Sequence, residues 1–211
     1  MNNTSEKLRR AQPLIPRTAG FIIGEAVVVW TNWDRLEVRN EQNKILLTYD
    51  AKEYLIHSEI EFVDNRYLVV SMGTGIMVNG FKIYDFELRD WSFEFIGSSV
   101  ELGFCGMHPS APIIAYEEEK GIILWDLSSM CRVSSIDYAE AFGVTAAIIG
   151  GPEGKIAFGN FEEILIFQNG KQILSSQVPG GDMTALAWGI KKTFFFAETL
   201  GERSRKEKPT R

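Results

Sequence analysis

From Gly20 onward the apolar residues of this chain fall in short runs rich in Val, Ile, Phe, Trp and Tyr, divided by Gly, Asn, Asp and Pro. That is the pattern of short antiparallel strands joined by tight turns. His108 to Ile136 shows it most clearly, with a Pro-bearing turn, an apolar run Pro112 to Tyr116, an acidic turn Glu117 to Gly121, a second run Ile122 to Leu127 and a third Arg132 to Ile136. Nowhere do apolar residues recur at spacings of three and four over the length an amphipathic helix needs, so the predicted fold class is all-β. Residues 1–19 lack the strand pattern. They offer a single helical turn at Glu6 to Ala11, after which Pro13 and Pro16 break the chain, and a flexible N-terminal arm is expected there.

The strand pattern repeats. Val38, Tyr84, Trp125 and Phe167 each lie near the end of an apolar strand, and the steps between them are about 46, 41 and 42 residues, close to the ~40–45 of one four-stranded propeller blade. The same order of elements precedes each later marker: Ile60 to Phe62 and Tyr67 to Val70 before Tyr84, Leu102 to Phe104 and Ile113 to Tyr116 before Trp125, Ala146 to Ile148 and Lys155 to Phe158 before Phe167. An outer strand follows at Ser92 to Ile96, Arg132 to Ile136 and Gln172 to Ser176. Blades are therefore expected at about 20–52, 56–98, 99–138 and 141–179, with Met183 to Trp188 and Thr193 to Ala197 as two strands of a fifth, all within one domain over 20–198.

The Trp125-Asp126 pair that ends the middle strand of the third unit resembles the dipeptide of WD40 repeats, and Tyr84-Asp85 is a near match. Val38-Arg39 and Phe167-Gln168 depart from it, and the Gly-His pair of the family is absent, although Ile56-His57 stands at about the right distance before Tyr84. The chain thus resembles a degenerate WD40-like propeller of about four to five blades. That resemblance implies a non-enzymatic scaffold whose loops hold protein partners, or a subunit of a larger intracellular assembly. WD40 rings resemble propellers of about seven or eight blades, so completion by a partner or a second copy is favoured over a lone open arc.

Composition narrows the function further. At 211 residues the chain can bury about 70% of its unfolded surface without disulfides. A net charge of −6 and a pI near 5.1 give no electrostatic case for nucleic acid as the main ligand. The tail 199–211 is rich in Arg and Lys and is expected to be disordered, with nuclear import as its minority role. No apolar run reaches the length of a membrane span. Cys105 and Cys131 lie in or beside apolar runs and are expected as buried hydrophobes in a reducing, cytoplasmic setting.

Catalytic signals are thin. Gly150 to Lys155 has the look of a phosphate loop, but its glycine spacing is wrong and a strand follows in place of a helix, so a turn between strands is expected. His57 and His108 are the only histidines and, with two cysteines, show no zinc-ligand spacing. His108 is expected as a turn residue and His57 as a strand-end residue bonded to backbone. No catalytic residue, metal or cofactor is nominated. The rival to a scaffold is a propeller hydrolase or lyase working at a central channel, against which the short supply of His argues. Glu117, Glu118 and Glu119 are expected as a solvated turn and the loop aromatics Trp33, Tyr138 and Phe161, with Phe142 beside them, as core or blade-interface packing. For contact with a partner these are the candidates, the acidic turn as a steering patch for a basic partner and the aromatics as hot spots.

Overall fold

The computed structural model describes residues 13–52, 54–74, 77–96, 103–108, 110–118, 121–137, 146–159 and 163–177. They form four antiparallel sheets of four strands, each in simple sequence order. The first holds β1 (Ile15–Ile22), β2 (Glu25–Thr31), β3 (Arg35–Asn40) and β4 (Ile45–Asp50). The second holds β5 (Leu55–Val63), β6 (Tyr67–Thr74), β7 (Met77–Asp85) and β8 (Asp90–Ile96). The third holds β9 (Gly103–Met107), β10 (Ile113–Glu118), β11 (Gly121–Asp126) and β12 (Cys131–Asp137), and the fourth β13 (Ala146–Ile148), β14 (Ile156–Gly159), β15 (Glu163–Gln168) and β16 (Lys171–Gln177). These are consecutive blades of a WD40-like β-propeller. The strands expected at Met183 to Trp188 and Thr193 to Ala197, and the basic tail, lie outside the described residues.

The period-two alternation of strands explains why blades stack. In β6, Leu68, Val70 and Met72 turn toward the first blade and join a cluster with Val27, Val29, Leu36 and Val38, while Tyr67 and Val69 turn the other way and meet Ile114 and Tyr116 of the third. Blade three repeats this, with Ile123 facing the second blade and Ile122 facing Phe158 and Phe167 of the fourth. Three apolar layers therefore hold four sheets, and each fully buried aliphatic side chain adds about 1.5–3 kcal/mol. Close approach of neighbouring blades needs glycine at two places on the innermost strands. A Cβ at Gly20 would stand 2.5 Å from the Phe62 ring, and one at Gly106 would collide with the Ala147 carbonyl oxygen.

The register shows the repeat at finer grain than the apolar pattern. In every blade the pairing of third and fourth strands slips by one residue, between Val38 and Arg39, Ile83 and Tyr84, Leu124 and Trp125, and Ile166 and Phe167. The equivalent of Tyr84, Trp125 and Phe167 is therefore Arg39, and the marker placed at Val38 moves by one residue. Since one step along a strand flips the face, Val38 packs toward the second blade while Tyr84, Trp125 and Phe167 each pack toward the blade before their own. Arg39, on the outward face of the first blade, instead lies 5.2 Å over the Trp30 ring and pairs at 2.6 Å with Glu37.

The residue after each marker has its own task. Asp85 Oδ1 accepts from the backbone N–H groups of Glu87 (2.9 Å) and Leu88 (3.2 Å), and Asp126 Oδ1 from those of Ser128 (2.7 Å) and Ser129 (3.3 Å). Asn40 Oδ1 does the same for Gln42 and Lys44 at 3.1 and 3.0 Å. These are Asx turns that close the hairpin between third and fourth strands. In the fourth blade Asn169 and Gly170, with φ of 51° and 73°, make a two-residue turn, so Gln168 needs no such cap.

Several expectations are corrected. Residues 15–19, assigned to an arm, belong to β1: Pro16 fits an edge strand, and the pairing slips beside it between Pro16 and Thr18. Residues 1–12 lie outside the described set. Glu117 and Glu118 are strand residues, paired with Ile122 and Gly121, because backbone pairing runs on past the apolar stretch. Cys131 is exposed, with its Sγ 3.1 Å from Ser129 Oγ, since β12 is exposed along most of its length.

Candidate functional site

In each blade the turn between second and third strands lies at the end where the connection to the next blade also lies. At that end a cleft of about 370 Å³ opens between the first and second blades, lined by Pro13, Ile15, Arg17, Thr31 to Trp33, Ile56 and His57. Its volume is within the roughly 300–1,000 Å³ of sites that take small ligands or side chains. A second cleft of about 410 Å³ opens at the opposite end, among Ile23, Lys44, Ile45, Phe86 and Arg89, but it contains no buried polar atom without a partner.

The first cleft is built on a rigid turn. Thr31 Oγ1 donates to the carbonyls of Asn32 and Arg35, both at 2.7 Å, and Asn32 Oδ1 accepts from the N–H groups of Asp34 (3.0 Å) and Arg35 (2.8 Å). The Trp33 carbonyl accepts from Ile56 N–H at 2.9 Å, and the Asp34 carbonyl from Ala51 N–H at 2.7 Å. The turn is thereby fastened to the start of the second blade, and the Trp33 indole is held out with 42% of its surface exposed.

His57 is 7% exposed and stands edge-on to Trp33, with ring centroids 6.0 Å apart and planes at 88°. Its Nε2 is buried and has no hydrogen-bond partner among the described residues. The backbone bond expected for this side chain is thus not made at Nε2. Arg17, at the slip in β1, is exposed and makes no ion pair among the described residues. Ile15 and Thr31 are partners across β1 and β2, which sets them on the same face.

The other nominated residues are placed unevenly. Glu117 is half-buried near the end of β10, at the same end of its blade as Trp33 is of its own. The side chain of Glu118 and the whole of Glu119, Tyr138, Phe142 and Phe161 lie outside the described residues. His108 is a turn residue: its Nδ1 accepts from Ser110 N–H at 3.1 Å and its ring packs on the Gly150 backbone. Gly150 to Lys155 joins β13 to β14. Among the described residues no group of three His, Cys, Asp or Glu side chains stands ready to hold a metal ion. The cleft's members were half visible in the sequence. Trp33 stood out as a loop aromatic and His57 by its distance from Tyr84, whereas Arg17 and Ile15 sat in the residues assigned to an arm.

Outside the cleft, three carboxyl groups show how burial and pairing compete. Burial pushes the Glu37 carboxyl up, but hydrogen bonds from Arg39 and Arg35 outweigh it and hold it below the usual range. Burial likewise pushes Asp85 up, and the Arg66 guanidinium with the two turn N–H groups brings it below the usual value. Burial alone raises Glu61, on the innermost strand of the second blade.

No protein-family model matches the chain, and no curated protein matches it by sequence. Among solved structures it is similar to a chain of the "Crystal Structure of Mitotic Checkpoint Complex", with a TM-score of 0.61 and 15% identity over 84% of this chain. It spans 58% of that chain's length. At this identity the likeness shows the propeller fold.

Proposed function

We propose that the chain is a non-enzymatic interaction scaffold whose partner docks at the blade end carrying the cleft between the first and second blades. The observation that carries this reading is Trp33, a large aromatic ring presented to solvent by a turn fixed through six hydrogen bonds that involve Asn32, Trp33, Asp34 and Arg35. An exposed aromatic carried on a fixed turn beside an apolar cleft is the usual form of a protein-binding hot spot. The similar solved chain comes from a protein complex, which supports the reading by analogy of fold. A cytoplasmic setting belongs to the same proposal.

Native co-purification with quantitative mass spectrometry tests it. Proteins retained by the wild-type chain and by Val133→Ala, an exposed change on β12, should be lost from Trp33→Ala. Equal recovery by all three chains would take docking away from the Trp33 cleft, and recovery of nothing beside turnover of a small molecule would overturn the scaffold.

A further inference from the structure

We propose that the cleft holds an extended segment of its partner through an internal acidic residue set close to an apolar one. The proposal rests on the docking role inferred above and names the chemistry of what docks. Two costs stand unrelieved at one spot: the Trp33 indole is 42% exposed, and His57 Nε2 is buried without a partner among the described residues. Leaving a buried polar atom unpaired is costly, and hydrophobic surface left in water forfeits its burial. The neighbouring polar groups do not relieve His57, since Thr31 Oγ1 and Asn32 Oδ1 are committed to the turn. An apolar side chain laid among Trp33, Ile15 and Ile56, with an acceptor turned toward His57, relieves both costs at once.

Arg17 sets the sign of that acceptor. Among the described residues it is the one formally charged group lining the cleft, and it makes no ion pair with them. A carboxylate only accepts hydrogen bonds, and its charge complements the guanidinium, so it is preferred to an amide, and an ammonium group is repelled. Access to Nε2 requires the indole edge to swing aside, a rotation open to a ring so exposed. The cleft lining holds both apolar residues and a cation, so the matching ligand carries two different side chains, as a peptide segment does.

The probes are fluorescein-labelled peptides, acetylated and amidated, carrying one Leu or Phe with Glu two residues later, together with Gln and Lys versions. They are titrated against the full chain by fluorescence anisotropy. At least one Glu peptide should bind about tenfold more tightly than its Gln counterpart, the scale of one charge-assisted hydrogen bond, and the Lys version should bind most weakly. Arg17→Glu, at an exposed position that leaves the fold in place, should reverse the order, and His57→Gln should weaken the Glu peptide. The proposal is overturned if Gln and Lys peptides bind as well as Glu peptides, if Arg17→Glu leaves the preference unchanged, if only peptides with a free C-terminal carboxylate bind, or if none binds. When Glu, Gln and Lys peptides bind the wild type equally and Trp33→Ala abolishes the binding of all three, the docking role stands and only its acidic partner falls. When no peptide binds, the docking role is judged by co-purification alone.

Discussion

At the scale of the residue, the aspartate of the repeat is legible as turn chemistry. Asp85 is nearly inaccessible, closes its hairpin through two N–H groups and takes both Nε and Nη2 of Arg66, the latter at 2.5 Å. Breaking a buried pair of this kind costs about 3–5 kcal/mol, and with the Arg66 side chain one-third exposed a loss nearer ~2–3 kcal/mol is expected for Asp85→Asn at neutral pH. The folded-state value lies below the ordinary one of 3.8, so the stabilisation is fully present above that pH and is lost as pH falls through the folded value. Denaturant midpoints measured from pH 7 down to pH 2 should therefore fall in acid more steeply for the wild type than for Asp85→Asn. Ile23 is the opposite case. A β-branched residue at φ 49° before Gly24 at φ 78° is strained in a turn that favours Asn-Gly. Ile23→Asn should raise stability by about 0.5–1 kcal/mol, and a lowered midpoint would contradict the turn.

At the scale of the element, the strands were legible because alternation and turn residues are local signals, and the sequence-read outer strands, such as Arg132 to Ile136 within β12, lie inside the observed ones. What was hidden depends on partners across the sheet. The one-residue slip before each marker is a property of the pairing of two strands, so Val38 looked equivalent to Tyr84 although Arg39 holds that place. Arg39 breaks the apolar pattern because its face carries Trp30 and Glu37 where later blades meet a neighbour. The same reasoning explains the missed β1, whose Pro16 reads as a breaker yet is tolerated on an innermost, edge strand. Blade spacing yields a sharper test at Gly106, where a methyl group meets backbone with no room to move. Gly106→Ala should cost about 1–3 kcal/mol by overpacking, with amide exchange in β9 and β13 accelerated before that in β2 and β3. Uniform acceleration across all blades, or none, would count against the contact of β9 with β13.

At the scale of the whole molecule, the layers between blades make a frame, and the docking site proposed above lies where two blade ends meet. Each blade alone would expose both its faces, so the cleft between the first and second exists only because Leu68, Val70 and Met72 bind the second blade to Val27, Val29 and Val38 of the first. Sequence alone offered Trp33 as a candidate contact and read His57 only as a strand-end residue; folding brought the two rings together, with Ile56 and Arg17 around one opening. On the face of the first blade turned away from the second, Glu37 is held between Arg35 and Arg39. The central claim is that partner binding runs through the Trp33 cleft while the frame stays intact. Calorimetric titration of a partner recovered by co-purification tests it most directly, with wild type and Trp33→Ala compared side by side. The account predicts affinity weakened by about tenfold or more for Trp33→Ala, the scale of a hot-spot aromatic, at an unchanged unfolding midpoint. Equal affinities for the two chains would contradict it.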